Sequence, residues 1–399
     1  MTTAHPGAAA PATTRVLWII PAVYFLFVAG EFTAMTQLAL QLTARGESAL
    51  AVGVLGSALW AGLFVASTRA HAWVEAHGHA RVFVGASAAA VLAVATLPAH
   101  EYYAGWLVAV TALGLAGGLV WVAGESWLAE AAPRERRGLL VGLFETSVGL
   151  ALLAGPLLVS LGLATSTDPL LIALAGVALA FAASLALLGH APPPHDETIG
   201  GAGTQAASDW KAVALPLAAL AAVGGLMESG ISALLPSISM RLGFEVQAAA
   251  FLGAVIGAGS ALLQSPFGAL ADRIGLPRAM GLAWVLIVAT TAALAAAAGH
   301  PEHVLWVAGF VLGGVGGAVY TLIVIELGHR LAGGALVRAM GLLVTAYTGG
   351  TAGGPALGGW LFDATGLRGL ALMLLALAIV GAVLAWRALS GSRAPPSRA

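Results

Sequence analysis

The sequence predicts an all-α membrane protein with twelve transmembrane helices, arranged as two pseudo-symmetric six-helix bundles. Three observations predict it. The chain of 399 residues is 59% hydrophobic and only 9% charged, with a mean hydropathy of +0.94. A soluble domain carries about 25% charged residues. Its apolar runs last about 20 residues, the length of a bilayer-crossing helix, rather than alternating over the roughly 10 of a barrel strand. Only helices and closed barrels satisfy their backbone in lipid, so runs of this length mean helices. Third, the chain repeats itself. Gly155-Pro156 returns as Gly354-Pro355 at an offset of 199, and at the same offset Gly142 matches Gly341, Gly114 matches Gly313, and Gly117-Gly118 matches Gly316-Gly317. Two similar apolar halves are the usual sequence trace of a secondary transporter.

The N-terminus, Met1 to Thr14, is small and polar. The apolar run after it is too long for a signal-peptide core and lacks a cleavage site, so it reads as a retained helix. The first half then gives spans at 16–40, 49–70, 82–98, 103–129, 138–162 and 168–189. The longest loop follows, Ala191 to Asp209, with Pro192-Pro193-Pro194, His195-Asp196-Glu197 and a Gly/Ala/Ser stretch. That is linker chemistry. The second half gives spans at 211–236, 248–271, 278–299, 303–326, 339–362 and 367–388. The domains are therefore an N-terminal bundle at 1–190, a linker at 191–210 and a C-terminal bundle at 211–399.

Basic residues orient the chain. Counting loops alternately places Arg15, Arg69, Arg81, Arg134, Arg136, Arg137, Lys211, Arg273, Arg278, Arg330, Arg338, Arg387, Arg393 and Arg398 on one side. The other side holds only Arg45, Arg241 and Arg368, which completes the 17 Lys and Arg. A wrong span count would scramble this split. Both termini and the linker are expected to be cytoplasmic, in an inner membrane of bacterial type. The chain has no cysteine, which excludes disulfides, thiol nucleophiles and thiolate metal sites. The net charge of −1 gives no reason to expect nucleic acid.

The clearest motif joins spans 8 and 9: Gly268-Ala269-Leu270-Ala271-Asp272-Arg273-Ile274-Gly275, followed by Arg278. It resembles the loop signature of the major facilitator superfamily (MFS), Gly-x-x-x-Asp-Arg-x-Gly before a basic residue. The resemblance implies the MFS fold, and a cytoplasmic latch in which Asp272 approaches the positive N-terminus of span 5, near Gly138. Arg273 would tie the loop to an acid at a nearby helix end. The first half carries a worn copy at an offset of 197, with His71 for Gly268, Glu75 for Asp272, Ala76 for Arg273, Gly78 for Gly275 and Arg81 for Arg278.

A second motif surrounds the repeated dipeptide. Span 11 reads Gly341, Gly350, Gly354-Pro355 and Gly358-Gly359. Glycines every four residues make a smooth ridge for close packing, and proline removes a backbone hydrogen bond and bends the helix. The spacing is similar to the superfamily's glycine-proline motif, which is associated with proton-driven exporters and typically lies on span 5. Here span 5 keeps Gly142 and Gly155-Pro156 but has Ala151, Val159 and Ser160 at the other glycine positions. A third resemblance is Glu125-Ser126-Trp127-Leu128 ending span 4, with Arg136-Arg137-Gly138 after it. It is similar to one bacterial branch of the superfamily with a Glu-Ser-Trp-Leu signature. Glu125 and Glu326, near the ends of spans 4 and 10, are expected gate partners: Glu125 for Arg81, and Glu326 for Arg273 or Arg278.

Acids inside spans cost about 2.5–3.5 kcal/mol near the bilayer centre, so something must offset each one. Glu31 in span 1 and Glu228 in span 7 coincide at an offset of 197. No basic residue lies at similar depth. A carboxyl that is neutral when closed off and ionised when water enters is a proton carrier. The pair would also attract a cationic or amine-bearing substrate and repel an organic anion. Glu145 in span 5 shares the ridge of Gly142 and Gly149; it is either a third proton site or a contact of the cytoplasmic gate. Tyr24, Gln37, Trp60, Trp121, Gln264, Tyr320 and Tyr347 are candidate cavity-lining residues, with packing as the alternative for the aromatics. His71, His77 and His79 lack a sulfur partner and helical spacing for a metal, so no metal or other cofactor is expected. No Walker lysine motif or nucleophile elbow appears, which argues against direct ATP drive and hydrolysis. The expected protein is a monomeric, multi-pass secondary transporter rather than an enzyme. Its partners are protons, a small molecule and the lipid bilayer. The preferred mode is proton-coupled efflux by an antiporter, with a proton-coupled importer or a non-transporting receptor of the same fold as alternatives.

Overall fold

A computed structural model describes residues 11–100, 102–131, 137–190, 210–297, 302–331 and 333–390. Side chains are described from residue 16 onward within these, except at 129, 137–143, 145, 333, 337 and 390. The linker expected at 191–210 therefore lies outside the described residues up to Trp210, and so do both extreme termini.

The described residues form helices α1 (Pro11–Ala44), α2 (Ala49–His77), α3 (His79–Thr96), α4 (Tyr103–Ala131), α5 (Arg137–Ala164), α6 (Pro169–Ser184), α7 (Trp210–Arg241), α8 (Val246–Ile274), α9 (Leu276–Ala296), α10 (Glu302–Arg330) and α11 (Gly333–Ser390). Eleven of them are long and apolar enough to cross a membrane. The sequence leads one to expect twelve. The difference lies in α11, which runs for 58 residues but contains Gly366 in a non-helical conformation, φ 69° and ψ −167°. The chain folds back there. A Cβ added at Gly358 would lie 3.5 Å from Leu370 Cδ1, whereas residues that far apart in one straight helix are separated by about 18 Å. Two helical stretches thus meet at a glycine that alone takes this backbone geometry cheaply.

Local signals set the other ends. Ser48 caps α2 by accepting from Ala51 N at 3.0 Å, and Asp168 caps α6 by accepting from Leu170 N at 2.9 Å, with Pro169 in the first turn. Gly78 and Gly275, at φ 84° and 87°, break α2 from α3 and α8 from α9. They are the terminal glycines of the two loop motifs, so that repeated position encodes a turn.

In the first half α1 packs on α4, α5 and α6, and α2 on α4; in the second, α7 packs on α10 and α11, and α8 on α10. The halves meet chiefly through α2 with α11 and α5 with α8. One end of the bundle carries Arg45–Ser48, Thr165–Asp168, Leu242–Glu245 and Gly366. It is called here the loop end. The opposite end, with Gly78, Gly275 and the start of α7, is the linker end.

Candidate functional site

The repeated dipeptide works on two faces. A Cβ at Gly155 would meet Phe32 Cβ at 2.7 Å and Thr33 N at 2.8 Å on α1. One at Gly354 would meet Leu226 O at 2.3 Å on α7. Each glycine thus seats its helix against the first helix of its own half. The prolines point across the halves. Pro156 Cβ lies 3.1 Å from the Cβ position of Gly253 on α8, and Pro355 Cβ lies 3.1 Å from that of Gly56 on α2. Gly56 and Gly253 correspond at an offset of 197. The rest of the ridge is equally close. Cβ atoms at Gly350 and Gly359 would fall 2.1 Å from Ala222 O and 2.2 Å from Ala49 O, and Gly358 sits against Leu234.

Toward the loop end, polar contacts join the halves. Asp363 of α11 accepts from Ala49 N at 2.9 Å and Leu50 N at 2.8 Å. A second-half carboxylate therefore caps the N-terminus of a first-half helix, where backbone donors are unpaired and the dipole favours an anion. Arg241 donates to the Glu47 carbonyl. Thr43 and Ser237 share a hydrogen bond of 2.6 Å, and Ala356 N donates to Ser57 Oγ at 3.1 Å. Asp363 went unnoticed in sequence because its first-half counterpart, Ala164, is apolar.

The linker end differs. Gly268 faces open space, Asp272 and Arg273 are exposed, and among the described residues no ion pair crosses the halves there. The gate partners expected from sequence are replaced by local ones. Glu75 pairs with His71 on its own helix at 3.3 Å. Glu326 pairs with Arg330, one turn away, rather than with Arg273 or Arg278. Arg278 donates to Ile274 O at 3.3 Å. Arg81 is exposed and forms no pair with Glu125; instead His79 approaches Glu130 at 3.7 Å. For Glu75 and Glu326 the partner lies one turn away on the same helix, where two side chains meet without any movement of a neighbouring helix.

The two intramembrane acids occupy matched seats. Glu31 is 5% exposed and has no hydrogen-bond or ion-pair partner among the described residues. Its Oε2 lies 3.0 Å from the Cβ position of Gly117 on α4. Glu228 is half-buried, accepts from Tyr347 Oη at 3.1 Å, and lies 3.9 Å from the Cβ position of Gly316 on α10. The repeat at Gly117 and Gly316 therefore leaves room for a carboxyl. Each acid faces a helix of its own half, not a cavity shared between halves. Glu228 borders a small void of about 20 Å³ with Gly224, Trp284 and Gly316, enough for a water.

Other candidates distribute around these seats. The rings of Tyr320 and Tyr347 meet at 4.8 Å, so Tyr320 packs on the residue that donates to Glu228. Tyr24 stacks on Phe144 at 4.4 Å. Gln264 donates to Ser260 Oγ at 2.6 Å and lies over Gly317. Gln37 Oε1 and Trp121 Nε1 are buried without a hydrogen bond. Trp60 lines a separate void of about 30 Å³ between the halves, with Phe32, Thr36, Gly56 and Ser232. The side chain of Glu145 lies outside the described residues. No group of three metal-ligating side chains occurs among the described residues.

Two helical halves joined across an axis, with acids seated inside each, define a multi-pass membrane protein of the transporter class. The sequence profile of the Major Facilitator Superfamily matches residues 21–261 and 217–399, and the chain belongs to that family. No curated protein matches the chain in sequence. Among solved structures, a bacterial homologue of the human lysosomal transporter Spinster, in an inward-facing and occupied conformation, aligns with a TM-score of 0.78 at 14% identity over 98% of this chain and all (100%) of that one. A D-xylose-proton symporter aligns at 0.75 and 13% identity, covering 94% and 97% of the two chains. The nucleoside transporter NupG aligns at 0.72 and 13%, covering 95% and 100%. At such identities these likenesses establish the fold.

Proposed function

We propose that this protein is a proton-coupled secondary transporter that moves a small amphipathic or cationic compound by alternating access. The observation that carries the reading is the pair Glu31 and Glu228, each seated on a glycine of a neighbouring helix and, among the described residues, paired with no cation. A buried carboxyl without a cation holds its proton when sealed and releases it when water arrives. Because the acids sit in separate seats, each serves as a proton site of its own half. The substrate is drawn by their combined charge when they are ionised. Glu145 is a candidate third site.

In this reading there are twelve spans, counting α11 as two. The bundles at 1–190 and 211–399 rock about the central axis around the linker at 191–210. The linker end is cytoplasmic, in an inner membrane, as the distribution of arginines favours. The structure then corresponds to an inward-facing state, with the loop end closed by Asp363 and the Gly-Pro contacts. Gly268, Asp272, Arg273, Arg278, Glu75, Arg81, Glu125 and Glu326 would form the cytoplasmic gate in the opposite state. Export is the preferred direction. Import is the second reading, because the complete glycine-proline motif lies on α11 rather than α5 and one structural neighbour is a proton symporter.

The test is a thermal-shift screen of the purified protein against cations, amines, sugars and drugs. Flux of the stabilising compound into proteoliposomes under a pH gradient of each sign follows. A gradient-driven flux that disappears in Glu31→Gln/Glu228→Gln is expected. Full-rate, gradient-driven flux in that double variant would refute the proton assignment.

A further inference from the structure

Trp284 of α9 is the wall between two spaces. On one side lies the void that touches Glu228. On the other lies a groove of about 550 Å³ between α9 and the second stretch of α11. Arg278 stands at one end of this groove, Gly281 and Val285 lie along it, Val288 and Ala289 are toward the far end, and Trp386 rims it. The groove opens outward: Val285 and Trp386 are 64% and 71% exposed. Trp284 itself is 2% exposed, and its Nε1 is buried without a hydrogen bond.

We propose that this groove binds one anionic glycerophospholipid of the bilayer, with its phosphate at Arg278 and one acyl chain laid along α9 over Trp284. Three features fit that occupant. From Arg278 to Ala289 the helix rises about 16 Å, about half the roughly 30 Å hydrocarbon core, which is one leaflet. Among the described residues the lining is apolar apart from Arg278, no carboxylate borders the groove, and Arg278 has only a backbone carbonyl as partner. A basic residue at the mouth of an apolar interhelical groove matches the chemistry of a lipid phosphate. Trp386 lines the same groove as Arg278, and indoles are enriched at the membrane interface. The bound chain packs on the outer face of Trp284, and so supports the wall of the Glu228 void. The proposal rests on the reading of the chain as a membrane transporter, but its test does not depend on transport.

The full-length protein in detergent is titrated with phosphatidylglycerol or phosphatidylcholine of identical acyl chains, and bound lipid is counted by native mass spectrometry. One phosphatidylglycerol is expected, favoured about fivefold over phosphatidylcholine. Arg278→Gln is expected to remove the preference. Gly281→Phe is expected to displace both lipids, because a side chain there projects into open space. Thermal midpoints and elution volumes matching the wild type certify that both variants are folded. Should Gly281→Phe fail that check, Val285→Trp replaces it as the groove-filling change, and should Arg278→Gln fail it, Arg278→Met replaces it as the charge-removing one. Equal retention of the two lipids by the wild type would overturn the proposal. So would an unchanged preference in folded Arg278→Gln, or a dimer dispersed by Gly281→Phe, which would make a second copy the occupant.

Discussion

Glu31 and Glu228 are matched in sequence but unequal in their surroundings. Glu31 has a tight seat and no partner among the described residues, whereas Glu228 has a looser seat and a hydrogen bond from Tyr347. The inequality can be measured. Gly117→Ala places a methyl 3.0 Å from the Glu31 carboxylate and should displace it, while Gly316→Ala meets Glu228 only at 3.9 Å. The first variant is expected to lower gradient-driven flux several-fold and the second to leave it near wild type. Equal losses would show that the seats do not position the acids. Tyr347→Phe removes the hydrogen bond to Glu228. A net loss of about 0.5–1.5 kcal/mol is expected for such a bond, read as a shift in the pH midpoint of flux without loss of fold. The acids were legible in sequence because charge inside an apolar run stands out. Their glycine seats were visible only as a repeat, since a residue's partner on another helix depends on rotation and depth that spacing does not record.

The helices themselves were legible for the opposite reason: hydropathy is local. The break between the last two stretches falls at Gly366, between the expected spans 339–362 and 367–388. The two faces of Gly-Pro were not legible, because one face looks into its own half and the other across the axis. The glycine ridge of α11 makes a separable claim about packing. Gly350→Leu drives a side chain into the Ala222 carbonyl, whose oxygen lies 2.1 Å from the Cβ position, whereas Gly349→Ala meets nothing within 4 Å. Overpacking costs about 1–3 kcal/mol, so Gly350→Leu should lower the thermal midpoint of the purified protein. Gly349→Ala should match the wild type. If both variants melt alike, the ridge is not what holds α11 to α7.

At the scale of the whole molecule, the two ends of the bundle are held by different chemistry. The loop end is joined by Asp363 on the N-terminus of α2, by the Arg241 contact with Glu47, and by Pro355 and Pro156 seated on Gly56 and Gly253. At the linker end the described charges pair within their own half, as Glu75 does with His71, His79 with Glu130 and Glu326 with Arg330. In the proposed cycle, alternating access exchanges one set of contacts for another, and removing a loop-end contact should shift the balance toward opening at that end. Asp363→Ala removes a helix cap worth about 1 kcal/mol, which corresponds to about a fivefold change in the ratio of two states. The chain has no cysteine, so one introduced thiol reports unambiguously. Thr36 is 6% exposed and lines the void between the halves, next to Trp60 and Ser232. With Thr36→Cys as the reporter, a membrane-impermeant maleimide applied from the loop end should label Asp363→Ala about fivefold faster than the parent when opening is fast relative to labelling. Asp363→Asn keeps the side-chain carbonyl as an acceptor for one of the two backbone donors but loses the charge, so its labelling should fall between the two. Were Asp363→Ala labelled no faster than the parent, the cap would be a local brace of α2, and closure of the loop end would fall to the proline contacts and the remaining hydrogen bonds between the halves.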